Sequence, residues 1–251
     1  MSGHSKWSKI KRQKAAEDAK KGKLFTKLGR EIAVAARKGG DPDTNFALRL
    51  ALDRAKMANM PKDTIERAIK RGTGQTKGKE FEEIVYEGYA PHGTALMLEV
   101  LTDNRNRAVN AIRMLLSRHN GNLGESGCVA WLFDQKGFIT IQPNETEDPE
   151  EVALLAIDAG AEDVNIEDGT IEIYTAPDDF QRVKEALEGE GIHPTTAELS
   201  LVPKSSVQLD EKATLQIMRL IEELEELGDI RQVYSNMDIP DEIMAKYEME
   251  Q

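Results

Sequence analysis

The order of apolar segments between residues 137 and 202 is the feature that most restricts how this chain can fold. Four strand-like and two helical segments follow one another there. They are strands at 138–141, 164–166, 171–174 and 195–202 and helices at 149–159 and 178–188. Their order, βαββαβ, is that of the ferredoxin-like split βαβ arrangement. The pattern therefore predicts an acidic α/β domain over residues 135–204.

The segments on either side of this unit complete one another. They are strands at 84–89, 95–101, 128–133 and 230–234 and helices at 104–118 and 210–227. The helix and strand that follow the unit cannot bury their own apolar faces, because an isolated pair of elements is too small to form a core. We therefore expect residues 80–134 and 205–251 to form one discontinuous α/β domain, into which residues 135–204 are inserted.

The first 79 residues have apolar side chains at helical rather than strand spacing. One apolar stripe consists of Leu24, Phe25, Leu28 and Ile32. Gly39 and Gly40 end this helix. A second helix follows, with Phe46, Leu48, Leu52 and Ala55 toward a partner, and Pro61, a residue suited to the first turn, starts a third. The predicted fold class is thus α+β and multidomain: an N-terminal helical bundle over residues 1–79 and two ferredoxin-like α/β domains, one inserted into the other.

The net charge of −12 is distributed unevenly along the chain. Residues 1–79 carry 21 Lys and Arg against 8 Asp and Glu, whereas residues 80–251 carry 12 against 37. An acidic total argues against a nucleic-acid binder, which usually has a basic footprint. A basic block joined to an acidic body instead suggests a module that binds a polyanion.

Several other classes of protein are excluded by what the sequence lacks. Cys128 is the only cysteine, so neither an intrachain disulfide nor a cysteine-based zinc cluster can form. The N-terminus has no apolar signal region, and no apolar run approaches the roughly 20 residues that span a bilayer. We expect a cytoplasmic protein that does not bind membranes.

No catalytic pattern stands out either. The four histidines are widely separated, and neither a G-x-S-x-G elbow nor a phosphate-binding GxxxxGK[ST] loop is present. Gly72 and Gly74 follow a helix rather than a strand, so we interpret them as linker rather than a dinucleotide cradle. The sequence predicts no enzyme, no cofactor and no metal site.

The basic block is densest between Lys6 and Arg30, where ten positive residues face only Glu17 and Asp18. The candidate phosphate contacts are Lys6, Lys9, Lys11, Arg12, Lys14, Lys20, Lys21, Lys23, Lys27 and Arg30. In a helix, Lys20, Lys23, Lys27 and Arg30 share one ridge that can follow phosphates. The alternative is that these cations only make the chain soluble. Trp7 either stacks on a base or docks on the bundle.

Two smaller basic sets extend this hypothesis. The first belongs to the third helix and consists of Lys62, Arg67, Lys70 and Arg71. The second is Asn104, Arg105 and Arg107, at a junction between a strand and a helix, where amide and guanidinium groups can hold a phosphate. Asp103 can equally cap that helix and pair with Arg107, so both interpretations stay open.

Several of these residues also form strings that resemble the YebC/PmpR family. The strings are Gly3-His4-Ser5-Lys6-Trp7, Gly22-Lys23-Leu24-Phe25-Thr26-Lys27-Leu28, Ala35-Ala36-Arg37-Lys38-Gly39-Gly40-Asp41-Pro42, Asn59-Met60-Pro61-Lys62-Asp63 and Thr102-Asp103-Asn104-Arg105-Asn106-Arg107. The opening string places His4 among the candidate nucleic-acid contacts. One departure is Gly29, where we expect a bulkier helix former, because glycine inside a helix costs about 0.5–1 kcal/mol relative to alanine.

The resemblance implies a bacterial cytoplasmic protein of three domains. Members are described as transcriptional regulators that bind DNA. The family also includes mitochondrial translational activators, and bacterial relatives are linked to translation on the ribosome. Our first hypothesis is therefore a non-enzymatic, DNA-binding regulator of transcription. The alternative is a ribosome-associated translation factor that binds ribosomal RNA through the same face. The sequence does not indicate an oligomeric state.

Overall fold

The computed structural model describes residues 18–76, 79–144, 148–167 and 169–249. The chain forms two compact units. One consists of residues 133–204, and the other joins the preceding part of the chain to the residues from 205 onward. A separate N-terminal domain that ends at residue 79 remains a prediction, as do the boundaries at residues 134 and 204.

Helices and strands follow the predicted order along most of the chain. The helices are α1 (Asp18–Ala35), α2 (Phe46–Met57), α3 (Lys62–Gly72), α4 (Arg105–Arg118), α5 (Pro149–Asp158), α6 (Phe180–Gly189), α7 (Glu211–Glu226) and α8 (Asp241–Met249). The strands are β1 (Glu82–Tyr89), β2 (Ala95–Thr102), β3 (Asn122–Leu123), β4 (Phe133–Ile141), β5 (Asp163–Glu167), β6 (Thr170–Thr175), β7 (Thr196–Pro203) and β8 (Ile230–Ser235).

Helices α1, α2 and α3 pack around a small apolar core that includes Ile32 and Leu48. Asn45 caps α2 by accepting from the backbone N–H of Leu48 (3.1 Å), and its amide donates to the carbonyl oxygen of Ala35 at the end of α1 (2.8 Å). Helices α1 and α3 approach so closely at Gly72 that a Cβ there would overlap the carbonyl oxygen of Ala33. Glycine at this position is therefore required by packing rather than by a turn.

The first sheet is antiparallel and has the strand order β3-β1-β2-β8. Leu98 of the central strand β2 lies opposite Tyr86 of β1 and Val233 of β8. Helices α4 and α7 contribute Ile112 and Ile217 to the core that this sheet shares with them. The first sheet thus takes strands from both sides of residues 133–204: β1, β2 and β3 precede them in the chain, and β8 follows them.

The predicted strand at residues 128–133 is wrong. Residues 130–132 form a short 3-10 helix, and the third strand lies earlier, at β3. The buried Glu87 carboxylate holds this segment in place by accepting from the backbone N–H groups of Gly127 (2.6 Å), Val129 (2.8 Å) and Ala130 (2.8 Å). Burial raises the pKa of Glu87, but these three donors outweigh it, and the net pKa lies below the ordinary value.

The unit of residues 133–204 has the order β4-α5-β5-β6-α6-β7, with the sheet order β5-β6-β4-β7. All pairs are antiparallel, which is the ferredoxin-like arrangement. Ile139, Ile171, Ile173 and Phe180 are fully buried. In the described part of the chain, no helix is long and apolar enough to cross a membrane.

Candidate nucleic-acid interface

Part of the predicted interface lies outside the described residues. These positions are His4, Lys6, Trp7, Lys9, Lys11, Arg12 and Lys14. Lys20 belongs to α1, but its side chain is also outside the description. Nucleic-acid contact by these residues stays a prediction.

Four of the predicted contacts form a group that we call the outer set: Lys23, Lys62, Lys70 and Arg105. Each side chain is exposed, and none has a hydrogen-bond or ion-pair partner among residues 18–76, 79–144, 148–167 and 169–249. Lys21 is exposed as well, although it has an interaction partner. Exposed cations of this kind can contact phosphates without first giving up a partner among the described residues.

A second group, which we call the junction set, joins α1 to the first sheet: Lys27, Arg30, Arg107 and Asp229. Lys27 Nζ donates to the carbonyl oxygen of Glu225. Arg30 Nη1 donates to Asp229 Oδ1 at 2.8 Å, and the Arg30 side chain is only 17% exposed. The predicted ridge therefore divides along α1: Lys23 faces solvent, whereas Lys27 and Arg30 are bound to the protein itself.

Arg107, on α4, is the second arginine that binds Asp229. Its Nε and Nη2 donate to both carboxylate oxygens of Asp229, at 3.0 and 2.7 Å, which is the bidentate geometry of a strong arginine pair. Its Nη2 also donates to Asp103 at 3.0 Å. Burial raises the pKa of Asp229, but the hydrogen bond from Arg107 and the positive charges of Arg30 and Arg107 outweigh it. The net pKa of Asp229 therefore lies below its ordinary value.

The turn before α4 has features of both interpretations of its sequence, a phosphate site and a capped, internally paired helix start. Asn104, not Asp103, is the cap: its side chain accepts from the backbone N–H of Arg107 at 3.1 Å. The expected pair between Asp103 and Arg107 is present. Arg105, the first residue of α4, is exposed and remains available to an external phosphate.

An open groove of about 350 Å³ lies between α1 and α3, beside the start of the first sheet. Three arginines line it: Arg30, Arg67 and Arg71. Phe25 and Phe81 supply apolar wall, and Asp103 is the only acidic side chain among the described residues of its lining. The groove thus combines cationic and aromatic surfaces within a volume typical of small-ligand sites.

Arg71 is held firmly in this groove. Its guanidinium carbon lies 3.9 Å from the centre of the Phe81 ring, and Nη2 donates to the carbonyl oxygen of Lys79 at 3.0 Å. Arg67 is exposed, and its guanidinium donates to two neighbours on α3, the carbonyl oxygen of Asp63 and the hydroxyl of Thr64 (both 3.1 Å).

The sequence patterns did not indicate Asp229, which holds the junction set together, or Phe81, which lines the groove. Asp229 follows Arg30 by 199 positions, so no local spacing could indicate the pair. Phe81 gave no signal as a groove residue. Gly29 did give a signal, as a glycine without an evident reason inside a helix, and it lies in the lining of the groove. In the described ranges, no three His, Cys, Asp or Glu side chains converge as a metal site would require.

Two models of known protein families together match nearly all of the chain. A family model described as the TACO1/YebC protein N-terminal domain matches residues 5–75, and one described as the TACO1/YebC second and third domain matches residues 81–237.

Relatives of full length carry the name "Probable transcriptional regulatory protein". The one from Halothermothrix orenii is 52% identical over 249 residues, covering 98% of each chain. The one from Moorella thermoacetica is 53% identical over 252 residues, covering 99% of this chain and 100% of its own.

A crystal structure of a conserved hypothetical protein from Aquifex aeolicus has the same fold. Its TM-score is 0.81 at 47% sequence identity, over 89% of this chain and 92% of that chain. The family resemblance and the fold class predicted from the sequence are both confirmed.

Proposed function

The chain belongs to the TACO1/YebC family, and we propose that it is a non-enzymatic regulator of transcription that binds DNA through the basic face of its helical region. The relatives' name supports a regulatory role. The proposal adds the target, the binding face and the absence of catalysis. It requires no cofactor, and it places the protein in the cytoplasm.

The observation that carries this proposal is the outer set. These cations are exposed and unpaired within the described ranges, and Lys23 continues the basic stretch that begins at Lys6. Lysine and arginine side chains that neutralise phosphates release condensed counterions, which is the main source of affinity in sequence-independent binding. Such binding needs charge and exposure rather than a groove-reading helix.

The charge of the second compact unit also favours contact with nucleic acid at the helical region. The unit of residues 133–204 carries four Lys and Arg against 18 Asp and Glu, so it repels a phosphate polymer. Contact is therefore expected at the helical region.

Ribosomal RNA is the second candidate target, and the groove between α1 and α3 favours it. Folded RNA presents unpaired bases in loops and bulges, which proteins recognise by stacking them on aromatic rings or guanidinium planes. In this case the protein acts as a translation factor on the ribosome.

Two measurements test the proposal; they are compared at one physiological salt concentration, and the DNA affinity is also measured over a range of salt concentrations. Fluorescence anisotropy gives the affinity for duplex DNA, and co-sedimentation gives the association with ribosomes. We expect DNA binding that weakens steeply with salt, and a shallower salt dependence when Lys9, Lys11, Arg12 and Lys14 are replaced by glutamine. The expected loss of log–log slope is up to about 0.9 per phosphate contact removed.

The outcomes separate the two targets. Ribosome association together with only weak, salt-labile DNA binding would favour the translation factor. The absence of binding to both partners would refute the proposal as a whole. The matched control is Lys212→Gln, an exposed lysine at the start of α7 outside the basic face, which should leave the slope unchanged.

A further inference from the structure

The groove between α1 and α3 has properties that general phosphate attraction does not require. Its volume of about 350 Å³ suits one small organic group rather than a duplex backbone, which lies on a surface. Arg67 and Arg71 add positive charge to the lining, whereas Arg30 is already paired with Asp229, and Asp103 is the one carboxylate among the described lining residues. An anion of limited size is therefore the ligand that matches both its space and its charge.

The aromatic residues of the groove indicate which kind of small anion would fit. Phe25 is half-buried and lines the groove from α1, while Phe81 fixes the guanidinium plane of Arg71. Flat aromatic and guanidinium surfaces are the ones on which single-stranded bases stack. The exposed guanidinium of Arg67 at the same groove suits a phosphate.

Gly29 is a further observation in favour of a ligand, and it does not depend on the charge or the aromatic residues of the groove. It lies inside α1 with no left-handed backbone, and a Cβ there would meet only the Met60 methyl carbon, at an ordinary 3.7 Å. Packing therefore does not require glycine, in contrast to Gly72, where a Cβ would clash with backbone. The missing side chain nevertheless costs helix stability. Gly29 belongs to the lining, so this part of the groove wall consists of backbone without a side chain.

We propose that this groove binds one unstacked nucleotide of a single-stranded nucleic acid, with its base against Phe25 and Gly29 and its phosphate at Arg67 and Arg71. The inference rests on the proposed function, because it assumes that the helical region faces nucleic acid. A paired base inside a duplex cannot enter such a pocket without leaving its stack. The groove therefore distinguishes single strands from duplexes, which the outer set cannot do.

The test fills the groove without removing charge. Gly29→Leu introduces a side chain into the lining and replaces glycine by a better helix former, so thermal stability should not fall. Gly22→Leu is the matched control, since a Cβ at this position of α1 meets nothing within 4 Å and Gly22 does not line the groove. Anisotropy of the full-length variants is measured with a labelled single-stranded DNA of about ten nucleotides and with its duplex.

We expect Gly29→Leu to weaken single-strand binding by about tenfold, which corresponds to the loss of one stacked base. Duplex binding should stay within about twofold, as should both affinities of Gly22→Leu. Unlabelled AMP should displace the single strand from the wild type more effectively than inorganic phosphate at equal ionic strength.

Three results would overturn the inference while leaving the proposed function intact. They are an unchanged single-strand affinity of Gly29→Leu, an equal loss in Gly22→Leu, and equal competition by AMP and phosphate. If the wild type binds neither probe, the proposed function itself fails, and the groove inference fails with it.

Discussion

The outer set and the junction set contain the same kinds of residue but have opposite surroundings. Lys23 and Lys27 lie one helical turn apart on α1, yet the first is exposed and the second donates to the backbone of α7. Likewise Arg105 is free of partners among the described residues, whereas Arg107, two positions later, holds Asp229 with two hydrogen bonds. A basic residue near a binding face is thus not by itself a binding residue.

The difference arises from partners that are remote in sequence. Residues 225–229 supply the carbonyl and carboxylate groups that engage Lys27, Arg30 and Arg107. These contacts attach the helical region to the first sheet. We therefore expect the junction set to determine stability and the outer set to determine affinity for phosphate, so that a variant in one set changes one property without the other.

The largest effect on stability is expected from Asp229→Asn. This change removes the shared partner of Arg30 and Arg107: Arg30 loses its carboxylate partner, and Arg107 keeps, among the described residues, only its pair with Asp103. We expect the free energy of unfolding to fall by about 2–3 kcal/mol, at the lower end for a broken ion pair because Arg107 is half-exposed. Urea denaturation measures the loss. A change below about 0.5 kcal/mol would mean that the junction does not hold the fold together.

We also expect the destabilisation caused by Asp229→Asn to depend on pH. The folded pKa of Asp229 lies below its ordinary value, so its stabilisation is complete above the unfolded pKa of about 3.9 and is lost as the pH falls through the folded pKa. The difference in unfolding free energy between wild type and Asp229→Asn should therefore shrink between neutral pH and about pH 3. A difference that stays constant over this range would show that the carboxylate charge is not what matters.

A smaller effect is expected from Arg107→Gln, with Arg105→Gln as its matched partner on the same turn. Arg107→Gln should lower the unfolding free energy by about 1 kcal/mol, because its side chain is half-exposed and solvent screens the pair. Arg105→Gln should change it by less than about 0.5 kcal/mol and should instead weaken DNA binding. Equal stabilities of the two variants, or reversed effects on binding, would contradict the distinction between the two sets.

The smallest effect is expected from Lys62→Gln, compared with Lys212→Gln. Both lysines are exposed near the start of a helix, but only Lys62 belongs to the outer set. Lys62→Gln should reduce the slope of log affinity against log salt by up to about 0.9, with no loss of stability. If both variants change the slope equally, the effect reflects net charge rather than a binding face.

The fold was largely predictable because its signals are local. Strand alternation and helical spacing identified the βαββαβ unit, and the need of residues 210–235 for a partner predicted their return to the first sheet. The segment around Cys128 was not predictable, because its apolar residues resemble a strand. Its actual conformation is set by the Glu87 carboxylate, about 40 positions earlier.

The candidate site was predictable only in outline. Charge along the sequence located the helical region, and the turn at residues 102–107 was identified as a place of interest. The distribution of its cations between stability and solvent depends on Asp229, and the groove depends on α1, α3, Phe81 and Asp103 coming together. None of these long-range contacts leaves a periodic or spacing signal in one sequence.

The most direct test of the central claim is the salt dependence of duplex DNA binding by a variant with Lys23, Lys62, Lys70 and Arg105 all replaced by glutamine. We expect a stably folded protein whose log–log slope is shallower by up to about 0.9 for each phosphate contact removed. A slope equal to that of the wild type would contradict the account, because the exposed cations would then have no part in binding.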